Sequence, residues 1–308
     1  MVTGIISGPH VLNLIEEDAI NKLGFINDIA LAFIAFAAGA ELYLKELRSR
    51  FKSIVWNTIG QLFVTFFAAS TAIYFLAEFI PFMQNMTTGY KIAVAILGAT
   101  IFIARSPSSA IAVISEMRAK GPFTQTAMGV TVVIDVLVIV LFTICFSIAV
   151  QIVSGVDFNL SSIVILLLEL LLALCLGYVL GKLISGILSL SLSLILRTVI
   201  ILVTGYGTFI FTHLIRDISP TYLQFELHIE PLLICIVASF LVTNYSKYRH
   251  EFQKILHDSG PMIYVAFFTL VGAMLSLDIL AKVWIIALVL FAVRLITLII
   301  GSYIAGIM

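Results

Sequence analysis

Charge is what this 308-residue chain has least of. Only 11% of its residues are Asp, Glu, Lys or Arg, while 61% are hydrophobic. A soluble domain carries roughly 25% charged and 45–50% apolar residues. The 17 basic and 17 acidic side chains cancel, so nothing suggests a nucleic-acid partner. Cysteine is scarce: Cys145, Cys175 and Cys235 lie in separate apolar runs. They read as small core residues, with neither metal-ligand spacing nor a disulfide pattern. No nucleotide-binding loop, nucleophile elbow or zinc motif occurs, and Glu226-Leu227-His228-Ile229-Glu230 has the wrong order for a metalloprotease helix. An enzyme therefore has little support, and no cofactor is expected. No cleavable signal peptide is expected from these residues. No loop is long enough to hold a soluble domain. No apolar segment has the length or alternation of a strand, which excludes a transmembrane β-barrel.

What is there is long apolar runs. After a short first stretch, Met1 to Ile15, that contains Gly8-Pro9 and reads as the second half of a helix, hydrophobic segments cover approximately 24–44, 53–80, 91–115, 123–153, 160–182, 194–216, 223–244, 260–281 and 282–308. Each is near or above the roughly 20 residues a bilayer requires. The fold class expected is an all-α, multi-pass integral membrane protein. The loops on one side hold Lys45, Arg48, Arg50, Lys52, Arg118, Lys120, Lys182, Lys247, Arg249 and Lys254, and those on the other hold Lys22, Lys91, Arg216 and Lys282. Cytoplasmic loops carry the Lys/Arg excess, so both ends of the chain are expected on the cytoplasmic side.

Within this apolar background Asp135 stands out, in the run Val130 to Phe142. A carboxylate at mid-membrane costs about 2.5–3.5 kcal/mol even on a lenient insertion scale, and is kept where it faces water, an ion or a partner. One span earlier, Arg105-Ser106-Pro107-Ser108-Ser109 interrupts an apolar segment. Proline removes a donor, clashes with the preceding turn and pushes Ser106 away from helical angles. A broken helix beside a buried carboxylate is how many transporters build a cation site. The candidate cation and proton ligands are Asp135, the hydroxyls of Ser106, Ser108 and Ser109, and Thr131, four residues before Asp135 on the same helical face. A hydroxyl that bonds back to its own helix is an equal reading of Thr131.

The chain also resembles itself. Gly39 to Leu47 and Gly272 to Leu280 share the pattern G-A-x-L-x-L-x-x-L, and Val55-Trp56 followed by Leu62-Phe63 recurs with identical spacing as Val283-Trp284 followed by Leu290-Phe291. By the charge count the two copies run in opposite directions, the inverted arrangement of alternating-access transporters. The expected organisation is a first repeat at 1–153, holding a partial first helix, scaffold helices, a broken helix at 91–115 and the Asp135 helix. Linker helices follow at 154–222, then a second inverted repeat at 223–308 that stops before its own broken helix. On that symmetry these 308 residues alone would carry the fold without transport, unless another subunit supplied the missing helices.

In the order and spacing of these features the chain resembles the monovalent cation:proton antiporter superfamily, which includes sodium/hydrogen exchangers and potassium-efflux antiporters. The residues that carry the likeness are Gly8-Pro9 with Leu12 and Leu14, the G-A-x-L-x-L helix, Ala104 to Ala110, Asp135, Tyr264 to Phe268 leading into Gly272-Ala273, and Arg294. The resemblance implies exchange of Na+ or K+ for H+ at Asp135, an elevator movement of a core domain against a dimer-forming scaffold, a homodimer in membrane lipid, and no metal beyond the transported cation. It makes Arg294 the basic residue before a second broken helix. Arg294 and Arg105 are expected to tune the site, because a guanidinium does not deprotonate and so cannot carry the proton. Many members have a polar residue just before the essential aspartate. Here it is Ile134, which points to one titrating group and electroneutral exchange. The other readings are a bile-acid-type symporter or channel of related architecture, and a non-transporting sensor or assembly fragment.

Several further residues carry two readings. Asp135 could be locked to Arg294 or Arg105 in a salt bridge. Arg105 could balance helix dipoles at the break or pair with Glu116. Glu169 is expected to form a structural pair with Arg197. Gly177 and Gly181 form a G-x-x-x-G suited to close helix packing within or between subunits. His213, His228 and Glu230 are placed near the outer face.

Overall fold

The computed structural model describes the chain except for residues 10, 16–21, 106–109, 111–112, 115–116, 155–159, 224, 276 and 308, and the side chains of 46–47, 135–136, 139, 143, 147, 154, 160–163, 166, 223 and 278–279. The described residues are helical, with no strand among them. The helices are α1 (Val2–Ser7), α2 (Gly24–Glu41), α3 (Leu44–Leu47), α4 (Phe51–Phe75), α5 (Thr88–Ile103), α6 (Pro122–Ser154), α7 (Leu160–Ser189), α8 (Leu194–Leu223), α9 (Pro231–Tyr245), α10 (Arg249–Ala273) and α11 (Leu277–Ile307). Among the described residues six helical stretches are long and apolar enough to cross a membrane, and Thr88–Ile103 and Pro231–Tyr245 are shorter apolar helices. The protein is a multi-pass membrane protein.

The chain divides into two compact units. One comprises Met1–Leu44 and Leu167–Leu277, the other Lys45–Leu166 and Asp278–Met308. These units cut across the repeat boundaries expected from the sequence. Most of the segment read there as linker helices belongs to the first unit.

At the centre of the first unit, α2 packs along α9. Ala30, Ala32, Phe33, Ala35, Phe36, Ala38, Gly39 and Ala40 are all buried, and a helix apolar on every side belongs inside a bundle. The small residues let the backbones approach. A Cβ on Gly39 would lie 2.3 Å from the Ile236 carbonyl oxygen. Ser239 Oγ donates to the Phe36 carbonyl. Asn244 closes the end of α2: its amide donates to the Leu42 carbonyl at 2.7 Å, and its Oδ1 accepts the Leu44 N–H at 2.8 Å. Pro231 opens α9 at its first turn, where the missing N–H has no helical partner to lose. Gly39→Ala should lower stability by about 1–3 kcal/mol, the usual cost of overpacking. The open position Gly186, where an added Cβ meets nothing within 4 Å, serves as the control. A midpoint of thermal unfolding in detergent that falls for Gly39→Ala and not for Gly186→Ala is the expected result.

α10 begins at Arg249, eleven residues before the apolar run expected at 260–281, and ends at Ala273, so the sequence boundary at 281 was too late. Its first three turns carry Arg249, His250, Glu251, Gln253, Lys254, His257 and Asp258 around buried Phe252, Ile255 and Leu256. That is an amphipathic stretch, and a hydropathy window reads it as loop.

The second unit packs α4, α5 and α6 against one another. One core cluster gathers Ile73, Ala77, Ile80, Met83 and Ala95. The other gathers Ile54, Ile103, Val130 and Ile134. Two glycines bring α4 and α11 together at a point. A Cβ on Gly60 would lie 2.7 Å from the Gly301 carbonyl oxygen, and one on Gly301 2.8 Å from the Gln61 Cα.

Candidate functional site

The described backbone leaves the helix a few residues before Pro107. α5 stops at Ile103, and Ala104 is extended at φ −54°, ψ 139°. Ser106, Ser108 and Ser109 lie outside the described residues, as does Pro107. Ala110, Val113 and Ile114 are helical again. The chain then turns through Arg118 (φ 50°) and Gly121 (φ 124°) into α6. At Gly121 a side chain would be strained.

Two arginines hold the break. Arg294, on α11, donates to the Ala104 carbonyl, one of the acceptors that a helix end leaves without a partner. Arg105 donates to Gln61 Oε1, and Gln61 Nε2 donates to Ser302 Oγ. The first residues of the break are thus tied to α4 and twice to α11. Gln61 is 6% exposed, and its side chain spends both ends of the amide on this network. Neither Gln61 nor Ser302 stood out in the sequence. The available signal was a lone amide in an apolar helix, where polar side chains bond across to neighbours. Thr58 and Thr65 are buried on the same face of α4 as Gln61, three and four residues away, and among the described residues their hydroxyls have no partner.

α6 is a 33-residue helix whose backbone runs unbroken through Asp135; the Asp135 side chain lies outside the description. Its neighbour Ile134 is fully buried against Ile54, Ile103 and Val130. Thr131 is buried and donates to the Ala127 carbonyl at 2.8 Å. Of its two readings, the back-bonded one holds in this conformation. Its oxygen keeps lone pairs as an acceptor.

The pair expected between Glu169 and Arg197 does not form. Arg197 pairs with Glu251 at 2.7 Å and donates to the Leu190 carbonyl. Glu169 accepts the His228 N–H at 2.6 Å. Arg197 lies just past the turn that follows α7, level with that helix's end. Glu169 sits 20 residues before Ser189, about 30 Å away at the helical rise. Gly177 and Gly181 pack within the chain, against Val237 and Ala238 of α9. Asp28, His213, Arg216, His228 and Glu230 line a cavity of about 330 Å³ in the first unit. Burial pushes the Glu230 carboxyl above its ordinary value, and the Leu232 N–H opposes that shift. Among the described residues no group of three or more His, Cys, Asp or Glu could hold a metal ion.

The comparisons agree with this architecture. The profile of the transmembrane sodium/hydrogen exchanger family matches residues 1–307. The fold is similar to that of the sodium proton antiporter MjNhaP1 from Methanocaldococcus jannaschii, solved at pH 8, with a TM-score of 0.69 and 18% identity over 97% of this chain and 70% of that one. A search of curated protein sequences gave no match. A helical membrane fold of the antiporter type and a family match over nearly its whole length place the chain among transporters rather than enzymes: it belongs to the sodium/hydrogen exchanger family.

Proposed function

We propose that the protein exchanges a monovalent cation, Na+ or K+, for H+, with Asp135 as the carboxylate the two share. The observation that carries this is the juxtaposition in one unit of the broken segment after α5, its arginine clasp and the Asp135 helix. A carboxylate desolvated in a bundle holds its proton more tightly than in water and releases it when a cation binds. Ser106, Ser108, Ser109 and Thr131 are proposed to add hard oxygen ligands. Arg294 and Arg105 are proposed to set the local charge and the shape of the break. The Ala104 carbonyl already accepts from a guanidinium, so the cation's ligands are drawn from beyond it. The elevator movement, the homodimer, the inverted repeats and cytoplasmic chain ends belong to the same proposal.

Ile134 supports a stoichiometry. It is fully buried in an apolar cluster, so Asp135 has no titrating neighbour on its N-terminal side. One proton should leave for each cation bound, and no net charge should cross. Proteoliposomes of the full-length protein, given a Na+ or K+ gradient, should acidify or alkalise without developing a membrane potential. The potential is followed on a solid-supported membrane, and a current driven by the cation gradient alone would contradict the one-for-one exchange.

A further inference from the structure

The first unit contains a groove lined by none of the residues proposed for ion exchange. α7 touches α9 through Gly177 and Gly181: a Cβ on the first would lie 2.7 Å from Val237 Cβ, and one on the second 3.0 Å from the Ala238 carbonyl oxygen. Beside this contact lies a cavity of about 400 Å³, walled by Tyr178, Lys182 and Ser185 of α7 and by Phe240, Leu241 and Tyr245 of α9. Its lining is mostly apolar, and the polar side chains among the lining residues are one ammonium and three hydroxyls, all of which can donate. The Lys182 ammonium sits 5.5 Å from the Tyr178 ring centroid, a geometry that attracts a cation to the ring face. Among the described residues no carboxylate pairs with it. Tyr245 closes α9 and is 72% exposed, and Lys247 and Arg249 stand two and four residues after it.

We infer that the groove between α7 and α9 binds an anionic phospholipid, its acyl chains along Phe240 and Leu241 and its phosphate on Lys182. Three features select this occupant. The walls belong to the membrane-spanning α7 and the shorter apolar helix α9, so the apolar part of the groove meets acyl chains. A lysine without a carboxylate partner selects a negative headgroup, and its stem lies along apolar surface while the ammonium reaches the interface. Tyrosines and basic residues gathered at one end of a helix pair mark the headgroup level. The inference requires only the membrane-spanning fold and stands apart from the exchange mechanism.

The test is native mass spectrometry of the full-length protein, titrated with phosphatidylglycerol and with phosphatidylcholine of the same acyl chains. Phosphatidylglycerol should be retained about fivefold more, the preference that one near-surface cation provides. Lys182→Arg should keep the preference and Lys182→Glu should abolish it. Leu241→Trp, which fills the groove and leaves the charge, should reduce retention of both lipids. Glycerol phosphate in millimolar excess, a headgroup without chains, should displace neither. Equal retention of the two lipids, a preference that survives Lys182→Glu, or displacement by glycerol phosphate would each overturn the proposal. So would a dimer that excludes lipid from the groove.

Discussion

Asp135→Asn is expected to reduce cation-driven proton flux by about 10²–10⁴-fold, the range lost when an essential proton-transferring group is removed. Asparagine keeps the size and much of the hydrogen bonding of aspartate. It cannot release a proton near neutral pH, and it brings no negative charge to a bound cation. The helix should tolerate it. α6 is continuous through this position, and the neighbouring Ile134 is anchored in its own apolar cluster. Removing a charge from an apolar helix lowers the cost of burying that helix. The variant should therefore purify as a folded protein, with a thermal midpoint equal to or above that of the wild type. Loss of flux together with loss of fold would mean a structural role for Asp135. Unchanged flux in a folded variant would remove it from the site.

Arg294→Met is expected to have the second largest effect. Arg294 donates to the carbonyl of Ala104, the first extended residue after α5. A hydrogen bond from a charged donor contributes about 1.5–3 kcal/mol, and Ala104 is half-buried. Two turns further along α11, Ser302 holds Gln61, and Gln61 holds Arg105. Loosening α11 at Arg294 should therefore disturb both residues that lead into the break. Stability in detergent should fall by about 2 kcal/mol. The initial exchange rate should fall by about tenfold or more if that energy is also withdrawn from the transporting conformation. Arg294→Lys should recover part of both, since it restores the charge without the planar fork. A Met variant with wild-type stability and rate would show that the clasp does not hold the site.

Much of this arrangement was legible in the sequence, because membrane burial enforces it. The apolar runs and the end of α5 shortly before Pro107 follow from the cost of exposing backbone to lipid, and the cost of a buried charge is what singles out Asp135 in the sequence. What could not be read was pairing across distance. Gln61 and Ser302 are 241 residues apart, and nothing local marks either as the other's partner. Asn244 reaches back 200 residues to close α2. Glu169 and Arg197 looked like a pair because opposite charges in consecutive spans invite one, but height along the helix decided against it. The polar first half of α10 was lost for a different reason. Hydropathy measures the average of all faces, and that helix buries only one.

The most direct test of the central claim is proton movement in proteoliposomes of the full-length protein, with a pH-sensitive dye trapped inside and a Na+ or K+ gradient imposed. The account predicts a pH change that follows the cation gradient in direction, persists when the membrane potential is clamped, and vanishes in Asp135→Asn. A cation gradient that moves no protons, or one that moves them equally well without the Asp135 carboxylate, would contradict it.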